Sequence, residues 1–372
     1  MNAPEAATWL RLALCARRTI SRMSVAVWPR SSPVLPQVAT GRLQHRHVGA
    51  PLNVCDCERP RAIGPERARP PHSTHFAPQR TLFSRARTDR SRLERRRRRG
   101  GMMWLPFLYP APASAYVAAM SAVSFVSMAN AGLAELRGDH MPYSKFWHAV
   151  AGAAGGDARQ RGGMPLLRSR DGMLLAYAPA LLAAAASFAV PGAVEGARAE
   201  LLSAALAAHF LKRVLEVLCV HRYSGSMPLG TAATISCSYL VSTATMVYAQ
   251  HLSRGLPDPA VDLLCPGVLV FAVGLAGNLY HHRLLSGLRA DDGTGYKVPR
   301  GGLFGLVACP HYLFEILAFF GFAMISQTLY ALAVATGTAA YLAGRSCATR
   351  RWYRSKFQDF PPRIKALIPY VL

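Results

Sequence analysis

Between Ala113 and Arg345 the chain alternates long apolar runs with short charged loops. A bilayer core needs roughly 20 apolar residues per helix, and seven runs reach that scale: approximately 112–133, 173–191, 199–220, 231–251, 262–281, 303–325 and 328–345. The pattern predicts an all-α, multi-pass membrane helical bundle of about seven transmembrane helices. Ser326 and Gln327 are the polar break in an apolar stretch from Leu303 to Gly344 that is too long for one helix.

The loops set an orientation. Loop 134–172, loop 282–302 and the tail after residue 345 hold most of the Lys and Arg of this region, whereas loops 192–198 and 252–261 carry one Arg each. Seven spans then put the basic loops and the C-terminus in the cytosol, and put whatever precedes the first span on the opposite side.

Composition divides the chain. The sequence has 372 residues, is 51% apolar, and carries 43 Lys and Arg against 19 Asp and Glu, a net charge of +24. Residues 1–100 hold 21 Arg, no Lys and 6 acidic residues, which is +15 of that total. Such a charge opposes translocation, and a start at Met102 or Met103 removes the conflict. Residues 1–101 are therefore expected to be a disordered Arg/Pro/Ser-rich extension, either a targeting segment or an upstream sequence without a folded role. Residues 102–372 form the membrane-embedded domain. With few aromatics and no fold signature, the basic tract does not predict a nucleic-acid partner. The eight cysteines form no CxxC pair and are expected to be small buried hydrophobes, with neither disulfides nor a metal.

Charged groups inside membrane helices need partners and so mark candidate sites. His209, Arg213 and Glu216 share one helix face, and Lys212 precedes Glu216 by one turn. Two cations and a His against one carboxylate leave positive charge for an anionic ligand such as a cofactor phosphate. Pro310 can open a helix, after which His311 and Glu315 at i and i+4, and Tyr312 at i−3 from Glu315, are expected on one side. Asn278 offers paired donor and acceptor groups to a carboxamide. The neighbouring His281 and His282 point to different helix faces, so no metal is expected there. Without GxGxxG and strand-helix alternation, a Rossmann domain is excluded.

At these residues the sequence resembles the steroid 5-alpha-reductase family, which includes the very-long-chain enoyl-CoA reductases and polyprenol reductases. The stretches are HFLKRVLEVLCVHRYSGSMPL (His209 to Leu229), GNLYHHRLLSGLR (Gly277 to Arg289), GYKVPRGGLFGLVACPHYLFEI (Gly295 to Ile316) and the terminal RRWYRSKFQDFPPRIKALIPYVL. The likeness is strongest over 200–372, a 3-oxo-5-alpha-steroid 4-dehydrogenase-like C-terminal region.

The resemblance implies an endoplasmic reticulum reductase that uses NADPH to saturate a carbon-carbon double bond conjugated to a carbonyl in a lipid, within reach of partners in a lipid-synthesis complex. Arg213, Asn278, Arg289, Tyr296, Arg300, His311 and Tyr353 would surround the cofactor. Tyr312 would be the proton donor, tuned by Lys212 and accompanied by Glu315. Phe210 stands where steroid reductases have a ketone-binding Tyr, and the KR..E and Pro-x-Tyr-x-x-Glu arrangements look more like the enoyl-thioester reductases. A steroid-like enone and a trans-2-enoyl thioester are the two substrate expectations, and a non-catalytic scaffold that kept the fold is the alternative.

Overall fold

The computed structural model describes residues 105–143, 146, 165–288 and 296–372. The tract 1–101, the loop cations between 147 and 164, and Arg289 lie outside the described residues.

Seven long helices occur among the described residues, one for each apolar run: α1 (Ala115–Arg137), α2 (Ser169–Ala186), α3 (Ala197–Leu215), α4 (Leu229–Leu252), α5 (Leu264–Gly287), α6 (Pro310–Ser326) and α7 (Leu329–Lys356). Ser114 caps α1 by accepting from Val117 N, and Gly138 closes it in the left-handed region at φ 103°, where glycine carries no Cβ penalty. One feature departs from the all-α expectation. Residues Leu166–Arg168 (β1) pair antiparallel with Ser226–Pro228 (β2), Leu166 opposite Pro228. This short ribbon joins the chain entering α2 to the chain entering α4, and so brackets the α2–α3 hairpin.

The helices pack chiefly as α5 on α6, α1 on α7, α2 on both α3 and α4, and α6 on both α7 and α3. Small residues permit the close pairs: a Cβ on Gly274 of α5 would overlap the α6 backbone at Phe314 and Ala318, and one on Gly344 of α7 would overlap Gly132 of α1. Close backbone approach through small residues is how helices associate where lipid removes the hydrophobic drive between them. Large apolar side chains such as Leu182, Val126, Val190 and Phe188 face outward, while Glu135, Glu216, Arg345 and His209 are buried. α1 and α5 are long and apolar enough to cross a membrane. Of the five described cysteines, Cys219 and Cys237 are exposed, contrary to expectation, and Cys309 is buried.

Two helix ends differ from the sequence reading. α7 continues past residue 345 to Lys356 because its cations find acceptors inside the fold. Arg350 Nε donates to Ile364 O at 2.6 Å, and Arg351 Nη2 donates to Leu136 O at 2.7 Å. At the other end, α6 begins at Pro310 and not near 303. Gly301 and Gly302, with φ of 87° and 51°, lead into a 3₁₀ turn over Gly302–Gly305. The following residues then run beside the C-terminal tail, with Ala308 N donating to Lys365 O (2.8 Å) and Lys365 N to Leu306 O (2.9 Å).

Candidate active site

α3 ends in a π-helical turn, Glu216–Val220, a wide turn often found at functional sites. Its first residue sends a carboxylate inward. Lys212 Nζ lies 3.1 Å from Glu216 Oε1, and Arg213 Nη1 lies 2.8 Å from Oε2. His282 of α5 approaches the same carboxylate, Nδ1 to Oε1 at 3.1 Å. Lys212 also donates to Asn278 Oδ1, and Asn278 Nδ2 donates to His311 O at 2.8 Å. One buried chain of contacts thus joins α3, α5 and the first turn of α6. The amide of Asn278 is held in a fixed orientation by a cation at one end and a carbonyl at the other.

Glu315 enters this interior from α6, 3.4 Å from His209 Nε2. Phe210, Phe319 and Phe322 pack around the His209 ring at 5.0, 5.6 and 5.6 Å between centroids. The two cations expected to leave positive charge free are therefore opposed by two carboxylates, Glu216 and Glu315. A phosphate-binding excess has to come from elsewhere. Arg283, Lys297 and Arg300 are exposed, and the segment that bears the last two is pinned to α5 where Leu303 N donates to His281 Nε2 at 3.2 Å.

The remaining expected residues separate into two groups. Tyr296 is exposed and meets Trp352 edge-on at 4.9 Å. Tyr353 is buried in a C-terminal cluster, stacked on Phe360 at 5.5 Å. Tyr312 packs at the border of that cluster beside Cys309 and Leu367, with Tyr143 and Arg345 as electrostatic neighbours, while Lys212 is bound to Asn278 and Glu216. Tyr312 and Glu315 do not share one flank, as their spacing suggested. α6 has α3 on one side and α7 with the tail on the other, so neighbouring positions on one helix serve different partners. The structure does not bring Tyr312 and Lys212 together. It does bring in Tyr177, which the sequence reading passed over: a lone Tyr in an apolar run gives no local signal.

His281 and His282 do diverge, toward Leu303 and toward Glu216. Glu216, His221 and His282 bring one potential ligand atom each within 4.8 Å, a grouping not foreseen. Lys212 and Arg213 already contact that carboxylate, and two fixed cations oppose a divalent ion there. His221, just past the π turn, is held down to about 3 by burial first, then by His282 and Arg213. Between pH 6.5 and 3 the unfolded chain binds this proton and the folded chain does not, so stability falls as pH drops through that window. Melting temperatures in detergent across that range should show the loss, and His221→Gln should make it smaller.

The Asn278 amide is thus fixed beside the buried Lys212, and Lys297 and Arg300, on the segment that follows α5, are exposed. On that fold and site, comparison with known proteins is specific. Residues 228–372 match the family described as 3-oxo-5-alpha-steroid 4-dehydrogenase. The chain is 42% identical over 106 residues to a steroid 5-alpha-reductase of Gossypium hirsutum, covering 28% of this chain and 41% of that protein. It is 36% identical over 169 residues to the very-long-chain enoyl-CoA reductase of Dictyostelium discoideum, 44% of this chain and 55% of that one. It is 31% identical over 177 residues to 3-oxo-5-alpha-steroid 4-dehydrogenase 1 of Bos taurus, 46% of this chain and 68% of the relative. The chain belongs to the steroid 5-alpha-reductase family. The first two of these matches span about half or less of the relatives' length.

Proposed function

We propose that this chain is an NADPH-dependent membrane reductase that saturates a carbon-carbon double bond conjugated to a carbonyl in a lipid. The observation that carries it is the Lys212–Asn278–His311 chain, an oriented amide deep in an apolar bundle. When bound, the reduced nicotinamide would supply hydride to the carbon beta to the carbonyl. Asn278 would orient its carboxamide, Lys212 would hold Asn278, and Arg213 and Glu315 would set the field of the interior. Tyr296, Lys297 and Arg300 line the exposed approach to the phosphates and adenine, with His311 at the seam, and Arg289 and Tyr353 complete the proposed cofactor set. The substrate is a 3-oxo-Δ4 steroid-like lipid or a trans-2-enoyl thioester, and the very-long-chain enoyl-CoA reductase likeness favours keeping the second.

Seven spans, endoplasmic reticulum residence, a cytosolic C-terminus and partners in lipid synthesis belong to the same proposal. The outward apolar side chains and the concentration of Lys and Arg in alternate loops support it. Residues 1–101 are proposed as an extension outside the reductase domain.

The test is purified protein in detergent, offered NADPH with each substrate class. Oxidation of NADPH with concomitant loss of the double bond is expected. Neither NADPH binding nor oxidation would leave a non-catalytic scaffold. Arg300→Ala should raise the NADPH concentration for half-saturation about tenfold, the worth of one charge-assisted hydrogen bond, and should affect NADH less. An equal effect on both cofactors would remove Arg300 from phosphate recognition.

A further inference from the structure

The proposed reaction develops negative charge on the substrate's carbonyl oxygen, and a donor aimed at that oxygen is the largest single contribution the protein can make. The interior offers several phenols. Tyr177 of α2 is 4% exposed, and its oxygen accepts from Arg213 Nη2. The same guanidinium lies over the ring, 4.6 Å from its centroid. Guanidinium can only donate, so the Tyr177 proton is not used in that contact. A charge-assisted bond onto the oxygen polarises the remaining O–H and makes it a stronger donor.

Its surroundings suit a lipid carbonyl. The Tyr177 ring lies 5.6 Å from Tyr239, and Tyr239 meets Phe210 edge-on at 5.3 Å. Phe210 in turn packs on His209, whose Nε2 faces Glu315 at 3.4 Å and whose Nδ1 is buried without a hydrogen-bond partner. An apolar aromatic wall thus leads to one polarised hydroxyl. Arg213 connects that hydroxyl, through Glu216 and Lys212, to the Asn278 amide, so the donor and the proposed cofactor group are fixed by one buried network.

We propose that Tyr177 is the hydrogen-bond donor to the carbonyl oxygen, with Arg213 as its positioning residue; this rests on the reductase function above. As hydride bonds to the beta carbon, the π pair of the double bond moves to form the enolate, with its charge on oxygen. The Tyr177 O–H donates to that oxygen, and the alpha carbon takes its proton from water as the enolate collapses to the saturated carbonyl.

Tyr177→Phe in the full chain should lower kcat about 10²-fold, with KM within threefold and NADPH affinity, read by cofactor fluorescence, within twofold. Replacing Tyr177 with a ring-fluorinated tyrosine, which keeps its shape and its hydroxyl, should keep kcat within about threefold of the unaltered chain. A Tyr177→Phe kcat within threefold of the unaltered chain, or parallel loss of kcat and NADPH affinity, would overturn the assignment, as would full activity in Tyr177→Phe together with loss in Tyr312→Phe. If the unaltered chain binds NADPH but reduces neither substrate class, the reductase function fails and the Tyr177 assignment falls with it. An active unaltered chain with an equally active Tyr177→Phe removes the assignment alone.

Discussion

Glu135→Ala destabilises the folded chain by about 3–5 kcal/mol, the usual consequence of leaving one member of a buried ion pair alone. Arg345 is 1% exposed, and its Nη1 donates to Glu135 Oε1 at 2.5 Å. The guanidinium is held between Tyr143 and Phe146, 4.4 and 4.3 Å from their ring centroids, and Nη2 donates to Tyr143 O at 3.3 Å. The carboxylate has further duties: Oε1 accepts from Met141 N at 3.1 Å, and Oε2 meets His140 Nδ1 at 2.7 Å. Removing it strips the backbone after α1 of its anchor and leaves a charge in an apolar interior. Glu135→Gln, which keeps an acceptor, should lose about half as much. Combining Glu135→Met with Arg345→Met should recover most of the loss, because two apolar side chains of similar volume can replace a buried pair. Thermal unfolding in detergent measures all three, and a Glu135→Ala protein within about 1 kcal/mol of the parent contradicts the account.

That pair also shows what the sequence could not disclose. Glu135 and Arg345 are separated by 210 positions, and nothing local marks either as buried; Arg345 read as the end of a span, so α7 was expected to stop there. The helices themselves were legible because apolar runs of bilayer length leave little else for the backbone to do. Lys212, Glu216 and Asn278 were legible for the complementary reason, as polar groups in runs that could not leave them unpaired. Their charge balance was not, since Glu315 comes from another helix. Tyr312 shows the limit of spacing arguments: position on a helix fixes the direction of a side chain, but which neighbour lies there is a tertiary fact. Tyr177 is the converse case, silent in an apolar run until Arg213 is placed above it.

Gln327→Ala should destabilise the bundle by about 3–4 kcal/mol, a loss set by four side-chain hydrogen bonds in a fully buried position. Its Oε1 accepts from Arg198 Nη1 at 2.8 Å and Leu263 N at 2.9 Å, while Nε2 donates to Phe107 O at 2.6 Å and Val261 O at 2.8 Å. Its backbone carbonyl accepts from Tyr109 N at 2.8 Å. One residue between α6 and α7 thus ties down the segment before α1, the loop before α5 and the start of α3. It does so at φ 51°, a left-handed conformation that strains a non-glycine residue by about 1 kcal/mol or more. The amide and the strain can be separated. Gln327→Gly removes both, so it should be less destabilising than Ala by about 1 kcal/mol and still less stable than the parent. Thermal unfolding gives the order, and protease cleavage before Ala115 should accelerate in both variants as Phe107 and Tyr109 lose their partner. A glycine variant as stable as the parent would mean that the amide network contributes nothing beyond the strain it accompanies, and that the break between α6 and α7 is held by packing alone.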